Sequence, residues 1–166
     1  AVKLAEKHFG SWTGGSAPEI PICPAQTAAA GKIYLVDRQD AAQTVVSQFL
    51  PAPAVGNPDD DALTLADSIW GGGGFGTRLN LNLREDKGYS YGVFSNLLQY
   101  TDGGIWYGGG GVQTDKTAES VVEFVGELKG LAGEKPIAAA ELESSRLRRL
   151  RGTSQEYEAY ANVGGK

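Results

Sequence analysis

The stretch GGGGFGTRLNLNLREDKGYSYG (71–92) decides the fold, because it admits three incompatible readings. Its glycines suit a phosphate cradle. The alternation of Leu79, Leu81 and Leu83 with asparagine suits a strand, whereas Leu79 and Leu83 alone also suit one face of a helix. The cradle reading fails on context. Gly71, Gly73 and Gly76 match the spacing G-x-G-x-x-G, but that fingerprint follows a strand, and here it follows a helical pattern ending at Trp70. The lysine and hydroxyl positions of a P-loop hold Thr77 and Arg78 instead. Asparagine is a poor strand residue, so residues 77–87 are predicted to be helical, with the glycines ending the preceding helix and turning the chain.

Strong punctuation surrounds this stretch. Upstream, Asn57 as cap, Pro58 at the first helical position and the acidic run Asp59, Asp60 and Asp61 predict a helix start. Ala62, Leu65, Ala66, Ile69 and Trp70 form its apolar face. Downstream, YSYGVFSNLLQY (89–100) and GIWYGGGGVQ (104–113) flank the turn Thr101-Asp102-Gly103 and predict a hairpin. The glycines 108–111 inside that second strand mark either a packing accommodation or a place where another backbone comes close. KIYLVD (32–37) and TVVSQFL (44–50) are rich in β-branched and aromatic residues and read as two further strands. Helices over 115–132, with Ala118, Val121, Val122, Val125 and Leu128 inward, and over 137–151 complete the pattern. Two strand-strand-helix-helix passes imply an α+β fold, a mostly antiparallel sheet covered by helices.

The 166 residues, 41% hydrophobic and 21% charged, suffice for one soluble domain with a core. A formal net charge of −5 argues against nucleic acid and anionic lipid as partners, and no apolar run reaches membrane-spanning length. Residues 1–12 read as the helical tail of a preceding domain and 13–31, rich in Pro, Gly and Ala, as a linker. Residues 32–166 then form a partial domain; the absence of Met suggests a mature or excised piece. Cys23 has no second cysteine with which to form a disulfide.

Catalytic candidates are few. The one histidine, His8, lies in the helical tail with no second His at metal spacing, which also removes the usual base for a serine or cysteine nucleophile, so it reads as a surface residue. Glu85 and Asp86 are adjacent on a helix and diverge by about 100°, which suits a solvated face. Arg146, Arg148, Arg149 and Arg151, offset by Glu141 and Glu143, read as salt-bridged surface. Arg84 and Tyr91 remain, one at a helix end and one early in a strand, with Gly88 turning the chain between them. They are either an ion-paired guanidinium and a buried aromatic, or two donors facing one space and suited to a carbonyl or a developing oxyanion. Strand alternation puts Tyr89 on the same face as Tyr91.

GGGFGTRLNLNLREDKGYSYGV (72–93) resembles the helix–turn–strand element of the insulinase/pitrilysin family of zinc peptidases, the inverzincins. The matching positions are Gly72, Gly73, Leu79, Leu83, Arg84, Gly88 and Tyr91, and the likeness extends over about residues 31–150. The resemblance implies paired α+β domains enclosing a chamber, one bearing an inverted His-x-x-Glu-His zinc motif and its partner lacking it. This sequence lacks that motif, so the resemblance is to the non-catalytic partner, which binds no zinc of its own. It further implies that Arg84 and Tyr91 reach substrate backbone and help stabilise the transition state, with Tyr89 a weaker candidate. The implied partners are a zinc-bearing domain, in the same chain or another, and a peptide. A purely scaffolding subunit is the alternative. The family spans several compartments, and the expectation leans to a bacterial cell envelope.

Overall fold

The computed structural model describes residues 1–19, 21 and 31–158. Cys23, the end of the expected linker and the chain beyond 158 lie outside the described residues. Helix α1 (Val2–Phe9) comes first, with every residue, His8 included, exposed. Strand β1 (Gln43–Ala52) follows, then α2 (Asp60–Asp67), which continues as a wider π-helical turn through Ser68–Gly72. Helix α3 (Arg78–Asn80) likewise continues into a π-helical turn over Leu81–Asp86. Strands β2 (Ser90–Tyr100) and β3 (Gly103–Gln113), then α4 (Thr117–Ala132) and α5 (Ala139–Glu156), complete the order.

The three strands form one antiparallel sheet in the order β1-β3-β2. Tyr100 pairs with Gly103, so the expected hairpin is present and its turn is Thr101 and Asp102, one residue shorter than expected because Gly103 already belongs to β3. Helices cover one face. There Trp70, Leu79, Leu83, Val93, Val112 and Phe124 form the buried core, with Val46, Trp106, Leu128 and Leu131 packed around it. Trp70 and Trp106 meet edge to face at 5.2 Å, and the Trp106 indole N–H donates to Asp67 Oδ1 at 2.7 Å. Gly108 lies directly beneath Trp70: a methyl group there would come within 2.6 Å of the indole ring. The second glycine run is, at this position, a packing accommodation. On the opposite sheet face Val45, Phe49, Phe94, Leu98 and Ile105 are exposed, and Tyr107 stacks on Phe49 and meets Phe94 edge-on.

The α+β architecture is the one expected, with three corrections to its elements. Residues 32–38 form no strand, and Ile33, Tyr34, Leu35 and Val36 are each more than four-fifths exposed. Their composition favours extended backbone, but a strand exists only where a neighbour accepts its hydrogen bonds, and β1 pairs only with β3 among the described residues. The first pass therefore has one strand. The inward face of α4 is also rotated from expectation: Phe124 is fully buried and Val122 is 68% exposed, because the bulkier ring takes the seat over the sheet. The start of α2 is two residues later than expected, at Asp60 instead of Pro58, with the Asn57 side chain accepting from the Asp59 N–H at 2.9 Å just ahead of it.

Candidate functional site

Leu79 and Leu83 are fully buried, which fixes the rotation of the short helical segment α3 and its extension. Arg84, the next residue, is thereby turned toward the surface with about a third of its side chain exposed. The chain then reverses at Gly88, whose φ of +65° suits glycine. Three hydrogen bonds hold the reversal: Tyr89 N–H to Leu83 O at 2.8 Å, Gln113 N–H to Tyr89 O at 2.8 Å, and the Gln113 side-chain amide to Gly88 O at 2.8 Å. Strand β2 begins immediately afterwards, so its first residues must lie beside the helix end.

A bulge determines which of those residues faces Arg84. Ser90 pairs with Val112 and Gly92 with Gly111, leaving Tyr91 as the extra residue. The Ser90 hydroxyl fills the irregularity, lying 2.6 Å from Gly111 O, to which it donates, and accepting from Gly92 N–H at 3.1 Å. Tyr91 is thrown outward and is 81% exposed. Its ring centroid is 5.5 Å from Arg84 Cζ, within cation–π range. The alternative of a buried aromatic at Tyr91 is thus excluded by its exposure. The bulge also corrects the expectation that Tyr89 shares its face: Tyr89 precedes the strand, is half-buried against the core, and carries Lys116 Nζ 5.9 Å from its ring.

Two further residues build the site that sequence reasoning had not singled out. Phe75, from the glycine run, stacks its ring 4.2 Å from Arg84 Cζ, so the guanidinium has an aromatic neighbour on the loop as well as on the strand. An aromatic residue alone between glycines was the only signal. Asn80 is buried and ties three segments together. Its Oδ1 accepts from Val93 N–H at 3.0 Å, and its Nδ2 lies 2.7 Å from Val93 O, 3.0 Å from Gly74 O and 3.1 Å from Thr77 Oγ1. Because Val93 lies on β2, an edge strand, Asn80 occupies backbone groups that a neighbouring strand would otherwise take.

Arg84 Nη1 pairs with Glu85 Oε1 at 2.9 Å, which leaves other guanidinium donors for an incoming oxygen. Beside the site, an open cleft of about 370 Å³ runs between the glycine loop and β2, lined by Gly71, Phe75, Gly92 and Phe94 among others. The frame behind the site is held by Arg78, whose guanidinium bonds both Glu141 carboxylate oxygens, at 2.7 and 2.6 Å, and the carbonyls of Lys135 and Pro136. That pairing raises the Arg78 pKa and lowers that of Glu141. Arg146 pairs with Glu143 at 2.8 Å, in keeping with a salt-bridged surface on α5. Among the described residues no group of three His, Cys, Asp or Glu side chains is arranged to hold a metal ion, and no helix is long and apolar enough to cross a membrane.

The fold recurs in solved structures. A peptidase M16 inactive domain from Pseudomonas fluorescens is 25% identical, with a TM-score of 0.67 over 75% of this chain and 29% of its own. A provisionally named zinc protease from Bordetella pertussis Tohama I is 28% identical, with a TM-score of 0.60 over 72% of this chain and 65% of its own. A protease from Helicobacter pylori, 22% identical, shares the fold over 99% of this chain and 40% of its own with a TM-score of 0.84. This chain thus spans less than two thirds of the length of each. No curated protein matches it at a significant level. The family model described as the peptidase M16 inactive domain matches residues 1–148, which include Arg84, Tyr91 and the whole helix–turn–strand element that joins them. With the motif, the fold and that match in agreement, this chain belongs to the peptidase M16 inactive-domain family.

Proposed function

We propose that this chain is the non-catalytic part of a zinc metalloendopeptidase, closing a substrate chamber against a zinc-bearing M16 domain and offering Arg84 and Tyr91 to the bound peptide. The observation that carries the reading is the pairing of Arg84 with an exposed Tyr91, 5.5 Å from guanidinium carbon to ring centroid. Neither exposure nor sequence spacing requires this arrangement; a bulge maintains it.

Amide hydrolysis builds negative charge on the carbonyl oxygen, and fixed donors aimed at that oxygen lower the barrier. The guanidinium offers N–H groups in a fixed fork and stays protonated throughout, so its part is to bind and polarise an oxygen, not to transfer a proton. The Tyr91 hydroxyl, free in solvent, is a second donor for the same or the neighbouring carbonyl. Zinc, held by the partner, supplies Lewis-acid activation of water and carbonyl. His8, on an exposed helix, is the one histidine of this sequence, which holds no His-x-x-Glu-His motif.

The test is steady-state kinetics of the assembled peptidase. Arg84→Ala and Tyr91→Phe should each lower kcat/KM by roughly ten- to a thousand-fold, the range for removal of one transition-state donor. Unchanged turnover in both variants overturns the proposal.

A further inference from the structure

Phe75 is an aromatic side chain with little to gain from where it sits. It is 56% exposed, stands between glycines in a surface loop, and belongs to no part of the buried core. Its ring centroid lies 4.2 Å from Arg84 Cζ, closer to that guanidinium than the Tyr91 ring at 5.5 Å. The opposite support is β2: a Cβ at Gly92 would lie 3.5 Å from Phe75 Cε1, so the ring rests over a strand position that carries no side chain.

The loop that carries Phe75 is itself anchored. Gly74 has a φ of +86°, a conformation that side chains rarely adopt, and its carbonyl accepts from the buried Asn80 amide at 3.0 Å. Asn80 in turn holds Val93, one residue from Gly92. The ring is therefore tied through two hydrogen-bonded steps to the strand that presents Tyr91. Arg84, by contrast, has one ion-pair partner among the described residues, the exposed Glu85 on the same helical turn. A long side chain with so little to hold it would sample many rotamers, and a flat ring against the guanidinium plane narrows them.

We propose that Phe75 is a positioning residue for Arg84, fixing the guanidinium plane so that its free N–H groups face the space beside Tyr91. The proposal rests on the reading that Arg84 contacts substrate. Phe75 itself touches no reacting atom.

Two measurements test it. In the assembled peptidase, Phe75→Leu should lower kcat/KM by about three- to thirty-fold through kcat with KM little changed, and Phe75→Tyr should retain activity. On an Arg84→Ala background, Phe75→Leu should cost nothing further, because the group it positions is gone. In the isolated chain, the Arg84 Nε–H proton resonance should show a ring-current shift that disappears in Phe75→Leu and persists in Phe75→Tyr, with far-UV circular dichroism unchanged. If Arg84→Ala impairs turnover while Phe75→Leu does not, or Phe75→Leu costs as much without Arg84 as with it, the positioning role is wrong and the role of Arg84 stands. If Arg84→Ala is silent, the catalytic reading fails, and the resonance still decides whether Phe75 holds the guanidinium: no shift, or a shift that survives Phe75→Leu, rules it out.

Discussion

Arg84 and Tyr91 stand with guanidinium carbon and ring centroid 5.5 Å apart because one extra residue in β2 turns Tyr91 away from the core. Neither side chain belongs to the buried core: Tyr91 is 81% exposed, and Arg84 keeps about a third of its side chain in solvent while its guanidinium lies over Phe75. Tyr91→Phe should therefore change stability by no more than about 0.5 kcal/mol in urea denaturation, and Arg84→Ala, which also loses its ring contacts, by about 1 kcal/mol. A loss of several kcal/mol would mean that the pair is structural.

Asn80 carries the opposite expectation. It is 2% exposed and meets four polar atoms, two of them on the Val93 backbone. Asn80→Asp keeps the shape but turns the donor toward Val93 O and Gly74 O into a second acceptor and buries a charge. The expected cost is about 3 to 5 kcal/mol, read as a drop in denaturation midpoint, with Asn80→Ala nearer 2 kcal/mol.

Gly108 is required for space. A Cβ there would fall 2.6 Å from Trp70 Cη2, and Trp70 is fully buried against Trp106, so the ring has nowhere to go. Gly108→Ala should cost about 1 to 3 kcal/mol and alter tryptophan emission, whereas Gly126→Ala, on α4 with open space around it, should be neutral or stabilising.

The Arg78–Glu141 clamp gives a pH dependence. Hydrogen bonds from Arg78 are the main reason that the Glu141 carboxyl sits below its ordinary value of 4.5; burial opposes them, and the Ala138 N–H assists. A carboxyl that ionises more readily folded than unfolded stabilises the fold above its unfolded pKa, and this contribution is lost as pH falls from about 4.5 through the lower folded value. Glu141→Gln should thus destabilise the chain at pH 7 and progressively less toward pH 3, as followed by thermal melts. An equal penalty at both pH values would show that the clamp is not electrostatic.

Much of this was legible in the sequence where a local rule coincides with the tertiary arrangement. Leu79 and Leu83 at helical spacing are both fully buried, and the asparagines that ruled out a strand include Asn80, whose amide is used to hold one. The turn at Thr101-Asp102 and the placement of Arg84 and Tyr91 across Gly88 follow from similar short-range chemistry. What was not legible depends on partners distant in sequence. KIYLVD has strand propensity but no neighbouring strand among the described residues, and propensity does not supply one. The faces of Tyr89 and Tyr91 follow period-two alternation only in a regular strand, and a bulge shifts the phase by one residue. Phe75 matters through a guanidinium nine positions away, and Gly108 through an indole thirty-eight positions away, which no window-based pattern contains.

The measurement that bears most directly on the central claim is hydrolysis of a peptide by this chain with zinc, first alone and then with the zinc-bearing M16 domain from the same source. The account predicts no turnover alone, turnover on mixing, and a roughly ten- to thousand-fold loss on mixing when the chain carries Arg84→Ala. Turnover by the chain alone, or turnover on mixing that is indifferent to Arg84, would contradict it.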